Sequence, residues 1–341
     1  MRKKFFCGVD LHSNNAMYVI TDQQDKLLLK KRLPNQLPVV LESLEPFRKQ
    51  LKVVAVESTY NWYWLVDGLM DHEYPVVLAN PSAIDQYDGI KEANDLTDAA
   101  FLARLARLDI LPTGYIYPRE DRPVRDLLRR RTLIVKQRTA IIQSLQNMAM
   151  RQTGQSISWR VIRKLSDEER TEFLGDHDCL AFVTTEQADL IQLLKEKSKR
   201  FKEKVLEHAH LKPAYECLLT IPGVGVRTGE AVVAYMDDPR RFSRNKSVGT
   251  YFGLVPCQDA SAGKNRFGRI TREGPATVRR LLVQAAWQAI RRSPEARAFF
   301  ERVQHDDPER KKKAIVATAH YLVRAMHAML RSGEAWRTPA A

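Results

Sequence analysis

The segment Phe5–Asp22, "FFCGVDLHSNNAMYVITD", sets two strand-forming runs around a polar turn, and the first run ends on a bare carboxylate, Asp10. An acid before a turn is ordinary turn chemistry. The same acid at the end of a central strand can face a metal ion, and the segments downstream decide between the two. "KLLLKKRL" continues as a third strand after a short turn at Gln23-Gln24-Asp25. "PVVLESLEPFRKQL" has helical spacing, "KVVAVES" is a buried strand, "NWYWLVDGLMDH" a helix and "YPVVLAN" a strand. "PSAIDQYDGI" and "DLTDAAFLARLARLDI" read as helices.

Three meandering strands followed by alternating helix and strand predict an α/β, ribonuclease H-like mixed sheet with helices on both faces. In that topology the end of the first strand lies beside the end of the fourth, where Glu57 stands in "VVAVES". Both approach the start of the last helix, which carries Asp95 and Asp98. Residues three apart share a helix face. Four carboxylates meeting there repel one another unless a hard divalent cation sits between them. Mg2+ suits such a set, with Mn2+ as a substitute, because it takes oxygen ligands and keeps positions for water or phosphate. Two-metal phosphodiester chemistry uses clusters of this kind. Each acid has a plainer use alone: Asp10 in a turn, Glu57 at a strand end, Asp95 and Asp98 in a capping box. Their order along the chain favours the metal site, with all four as metal ligands and catalytic acids. Actin-like kinases also begin with a strand, an aspartate and a hairpin, but "DLHSNN" lacks the glycine their phosphate loop needs.

From about Arg119 the pattern turns helical and basic. A long helix starts after Pro123, and a second runs through "TTEQADLIQLLKEKSKRFKEKVLEHAHLK" with Thr184 or Thr185 as N-cap. A shorter helical patch lies between them around "WRVIRKLSDEERTEFL". "YECLLTIPGVGVRTGEAVVAYM" has a helix–hairpin–helix look, and a Gly-rich loop region then leads into a long helix. The expected organisation is a ribonuclease H-like domain over 1–116, a helical coiled-coil stalk over 117–212, a mainly helical C-terminal domain over 213–332 and a tail over 333–341.

Lys and Arg number 55 against 41 Asp and Glu in 341 residues, a net charge of +14 that makes a polyanion the expected partner. No apolar run reaches membrane-spanning length, and "MRKKFFCGVD" lacks a signal peptide's apolar core. Cys7, Cys179, Cys217 and Cys257 are far apart, which fits a reducing cytoplasm and neither a disulfide scaffold nor a zinc site. The basic residues Arg129, Arg130, Arg131, Arg279 and Arg280 are candidates for neutralising phosphates; the alternative is a solvated, internally paired helix face. Tyr60, Trp62, Tyr63 and Trp64 have the chemistry to stack on bases, but packing of an amphipathic helix is the plainer use.

In "GLVPCQDASAGKNRFGRITREGPATVRRLL", Ser261 lies close in sequence to Lys264, Arg266, Arg269 and Arg272. Guanidinium groups there would stabilise charge on a phosphate under attack by a hydroxyl. Chemistry alone does not choose Ser261 over Ser243, Ser247 or Tyr251.

A family resemblance makes that choice. "GVDLH", "VVAVESTYNWYWL", "VVLANPSAIDQYDG", "NDLTDAAFLARL", "LLTIPGVGVRTGEAVVAYM" and "RFSRNKSVGTYFGLVPCQDASAGKNRFGRITREGPATVRRLL" resemble the DEDD transposases of bacterial insertion sequences. Their N-terminal domain is similar to the Holliday-junction resolvase RuvC, and the family includes Piv-type invertases and bridge-RNA-guided recombinases. The resemblance implies an acidic tetrad at Asp10, Glu57, Asp95 and Asp98 and a nucleophile at Ser261. Where the family commonly reads Gln-x-Ser-Ser-Gly-Gly-Lys, this chain has "QDASAGK", with Ala260 and Ala262 in place of a serine and a glycine. Ala93-Asn94-Asp95 replaces the common Lys-Thr-Asp. It further implies a composite active site, a phosphoserine intermediate and strand exchange through a Holliday junction. The implied partners are target and donor DNA, a structured non-coding guide RNA and further copies of the chain in a homodimer or homotetramer, at the bacterial nucleoid in the cytoplasm. Two alternatives remain open: a metal-only junction resolvase or nuclease in which Ser261 is a loop residue, and a non-catalytic nucleic-acid-binding scaffold.

Overall fold

A computed structural model describes residues 4–84, 95–166, 168–169, 178–208, 212–261 and 264–337, with the side chains of 212 and 259–265 left aside. The chain divides into two compact units, Met1–Tyr117 and Pro118–Ala341. The segments separated in sequence as stalk and C-terminal domain both lie in the second.

In the first unit, β1 (Phe5–Leu11), β2 (Asn15–Thr21) and β3 (Leu27–Pro34) form an antiparallel meander. β4 (Leu51–Glu57) pairs parallel with β1, β5 (Val76–Ala79) parallel with β4, and the two-residue β6 (Thr113–Gly114) antiparallel with β5. The sheet order β3-β2-β1-β4-β5-β6 is mixed, and β1 and β4 occupy its centre. The five strands expected from sequence are all present; β6 is too short to leave a periodic signal.

Alternation along the strands sends side chains to opposite faces. Cys7, Val9, Leu11, Val54 and Val56 join one core cluster with Val40 and Leu44 of α1 (Leu37–Leu44) and Leu65, Val66 and Leu69 of α2 (Tyr63–Asp71). The other face carries small residues, and α3 (Asp95–Arg107) crosses it. Gly8 shows how tightly: a Cβ there would lie 1.9 Å from the Ala99 carbonyl oxygen and 2.7 Å from the Ala103 nitrogen. Met17 and Val19 pack with Ala99 to one side, Ala55 and Ala79 with Leu102 to the other. α3 has acids in its first turn and Arg104 and Arg107 in its last, which suits the helix dipole. Arg107 grips Asp25 in the β2–β3 turn with two hydrogen bonds, of 2.6 and 2.7 Å, anchoring the helix's C-terminal end.

In the second unit, α4 (Arg122–Thr153) starts with Pro123 in its first turn and ends on Gly154 in the left-handed conformation, the usual proline-in, glycine-out arrangement. α5 is the short Trp159–Ile162, and α6 (Asp178–Leu206) packs along α4. The expected N-cap at Thr184 or Thr185 is corrected: the helix starts earlier, and the Thr184 hydroxyl donates to the Leu180 carbonyl one turn back. α7 (Lys212–Leu219), α8 (Val226–Met236), α9 (Asn245–Tyr251), α10 (Ala276–Arg292), α11 (Pro294–Gln304) and α12 (Lys311–Ser332) complete the fold. A core of Tyr215, Leu218, Val232, Leu282, Leu322 and Val323, among others, unites them with α4. The region expected as a Gly-rich loop is a hairpin, β7 (Pro256–Ser261) with β8 (Lys264–Ile270). "PSAIDQYDGI" begins with a single 3-10 turn at Pro81–Ala83, and from Asp85 onward it lies outside the described residues, as does the end of the helical patch beyond Glu169.

Candidate active site

β1 carries Asp10 to the centre of the sheet, where it is 5% exposed. Register explains its neighbours. Val9 pairs with Val56 across β1 and β4, so one step further along both parallel strands brings Glu57 level with Asp10. Asp10 also pairs with Met17, and Met17 with Arg32, placing these three side chains on the face under α3. Asp95 and Asp98 start the stripe of α3 that continues through Ala99 and Leu102 onto that face. The close approach permitted by Gly8 therefore sets the distance between the helix acids and the strand acids.

The resulting cluster joins all four acids electrostatically. Burial, then a hydrogen bond with Asp10 and the charges of Asp10 and Asp98, push the Glu57 carboxyl up to about 7. Asp98 is also raised, first by burial and then by the charges of Asp10 and Asp95. Asp95 moves the opposite way, chiefly through its hydrogen bond from the Arg32 guanidinium.

His12 completes the group. Its enclosed Nε2 lies 3.2 Å from Asp10 Oδ2 and 3.3 Å from Asp95 Oδ2, between the two carboxylates. Ligand atoms of Asp10, His12 and Asp95 all fall within 4.8 Å of one another. The His12 backbone is braced, its carbonyl accepting from the side-chain amides of Asn35 and Asn61. Crowded carboxylates with an imidazole nitrogen set among them form a donor set suited to a divalent cation. Sequence reasoning missed His12 and Arg32. His12 stands two residues beyond Asp10 and was accessible from strand alternation; Arg32 required counting the hairpin register across three strands.

Ser261 and the basic candidates are dispersed in the second unit. Ser261 ends β7 opposite Lys264, and Asp259 pairs with Arg266 in the same ladder; the Ser261 and Lys264 side chains lie outside the described residues. Arg266, Arg269, Arg272, Arg130 and Arg280 are exposed. Arg129 donates to Asp126 and to the Tyr235 hydroxyl. Two candidates are redirected by the structure. Arg131 is buried and ion-paired at 2.9 Å with Glu230, itself 0% exposed, an acid distant in sequence that a local search for partners could not find. Arg279 donates through Nη1 to the Phe252 and Glu273 carbonyls, stapling the turn before α10. Trp62 is buried and Tyr63 and Trp64 pack on the first unit's core, while Tyr60 is exposed with its hydroxyl bonded to Ser13. Among the described residues no helix is long and apolar enough to cross a membrane.

Both units match known domains. A DEDD transposase model of the IS110 type matches residues 7–153, and the model described as "Transposase IS116/IS110/IS902 family" matches residues 215–301. Similar proteins include a probable family 20 transposase of Pseudomonas aeruginosa, 23% identical over 293 residues and 83% of each chain. The transposase for insertion sequence element IS1328 of Yersinia enterocolitica is 24% identical over 284 residues, 82% of each chain. The pilin gene-inverting protein of Moraxella bovis is 24% identical over 82% of this chain and 79% of its own. Fold, acid cluster and matched domains define the class, an enzyme of DNA transposition and recombination. The chain belongs to the IS110-type DEDD transposase family.

Proposed function

We propose that this transposase moves an insertion sequence through a covalent serine–DNA intermediate, using Mg2+ held by Asp10, Glu57, Asp95 and Asp98, with His12 as a neighbouring donor. The observation that carries the reading is the meeting of Asp10 of β1 and Asp95 of α3 at the His12 imidazole nitrogen, with Glu57 of β4 and Asp98 of α3 electrostatically coupled to Asp10. A cation bound there would neutralise a scissile phosphate and act on it as a Lewis acid. Arg32 holds Asp95 ionised and in place.

Ser261 supplies the nucleophile in this reading. Its Oγ–P bond forms as the P–O bond to the departing strand breaks, and the seryl proton passes, in net terms, to the departing oxygen. Exposed Arg266, Arg269 and Arg272 nearby in sequence suit the developing charge. A second exchange through a Holliday junction completes recombination, and a structured guide RNA selects target and donor DNA. The family resemblance supports these steps, and so does the net charge of +14. The paired helices α4 and α6 serve as a coiled-coil stalk, and the α7–α8 turn as a helix–hairpin–helix, in an assembly of at least two copies.

The test is strand cleavage and transfer on element-end DNA. Asp10→Asn is expected to lower the rate by a factor of about a thousand or more, with DNA binding retained. Wild type is expected to become covalently attached to a nicked substrate, and Ser261→Ala to lose that adduct. Cleavage undiminished in Ser261→Ala would instead select a metal-only nuclease.

A further inference from the structure

In the second unit, α4, α8 and α10 line a partly open cavity of about 40 Å³. Its lining includes three guanidinium groups, Arg131, Arg227 and Arg280, and the hydroxyl-bearing Thr132, Tyr235 and Thr277. The carboxylate partner among the described residues is Glu230, already ion-paired with Arg131. Burial, then the like charges of Arg131 and Arg138, hold the Arg227 guanidinium below its ordinary value, and Arg280 adds to the effect. The Arg138 Nε is enclosed without a hydrogen-bond partner. Positive charge is thus concentrated there in excess of its internal compensation.

Size and surroundings choose the ligand. A space of this volume takes a few water-sized groups, about one phosphoryl, and excludes a base or a large side chain. Guanidinium forks match phosphate oxygens, while the Thr132 hydroxyl is already donated to the Leu128 carbonyl. Arg227 also lines an adjoining depression of about 480 Å³ with Lys202, Arg292 and the backbone of Gly225. A continuous basic track suits a chain of phosphates better than one free anion.

We propose that this cavity seats one backbone phosphate of a bound nucleic acid, gripped by Arg227 and Arg280 beside the ion-paired Arg131, with flanking phosphates in the adjoining depression. The inference rests on the reading of the protein as a nucleic-acid enzyme and gives that reading a located contact surface, adding Arg227 to the residues singled out from sequence.

Arg227 and Arg280 are exposed, so their replacement leaves the core intact. Full-length wild type, Arg227→Gln/Arg280→Gln and, as a control, Lys312→Gln at an exposed site on α12 would be titrated with two probes. These are a duplex of about 30 base pairs and an RNA hairpin of similar length, between about 50 and 200 mM salt. The double variant is expected to bind at least one probe about tenfold or more weakly, with the slope of log K against log salt reduced by one to about two. Its melting temperature is expected to be unchanged. The probe that loses slope identifies DNA or RNA as the source of the phosphate. Unchanged slopes on both probes, or an equal loss in Lys312→Gln, would overturn the proposal. Persistent strand transfer in Asp10→Asn would instead remove the acid-cluster reading, so the two ideas fail by different measurements.

Discussion

Glu57 illustrates how much chemistry a single residue takes from its position. Its folded-state value of about 7 stands above the ordinary 4.5, so the folded protein binds this proton more tightly than the unfolded chain does. The associated stabilisation is complete below the ordinary value and is lost as pH rises through about 7. Asp98 contributes in the same direction, whereas Asp95, lowered by Arg32, changes below its ordinary 3.8 and outside this window. Metal-free protein is therefore expected to melt at progressively lower temperature between pH 4.5 and 7, and Glu57→Gln to flatten the curve. Added Mg2+ should raise the melting temperature more at pH 8 than at pH 5, because ionised carboxylates bind it. A melting temperature independent of pH in metal-free wild type would contradict the crowding of these acids.

At the scale of elements, the sheet can receive α3 only because β1 offers no side chain at Gly8. Gly8→Ala forces its Cβ against the backbone of α3, and overpacking of this kind costs about 1–3 kcal/mol. The helix must lift, so activity is expected to fall further than stability does; thermal melts and strand-transfer rates on the same sample compare the two. The α4–α8 contact depends on another pairing. Removing one partner of a buried ion pair typically costs about 3–5 kcal/mol, whereas exchanging both for apolar groups is often nearly neutral. Arg131→Met and Glu230→Leu are each expected to destabilise the protein by that order. The double replacement should recover most of the loss in a denaturant-unfolding cycle.

For the whole molecule, charge and metal set separate requirements. Chelation of divalent ions is expected to abolish strand transfer while leaving nucleic-acid binding largely intact, since binding draws on the basic surface of a chain with a net charge of +14. Binding lost together with activity, at constant ionic strength, would mean that the acids organise the nucleic-acid surface as well. The four cysteines are free, so reductant should leave both properties unchanged.

Strand alternation, helix spacing and turn chemistry are local, and for that reason the order of the first five strands, and the positions of all four acids within it, could be read from the sequence alone. The family resemblance came from equally contiguous motifs. Register and packing decided the rest. His12 joined the acids because the strand carries it past Asp10 with its nitrogen enclosed, and Arg32 because two hairpin pairings place it under α3. Arg131 left the set of exposed phosphate-binding candidates because Glu230, nearly a hundred residues later, is folded against it. Such contacts follow from which surfaces meet, and the energies that join distant surfaces leave no mark at short spacing along the chain.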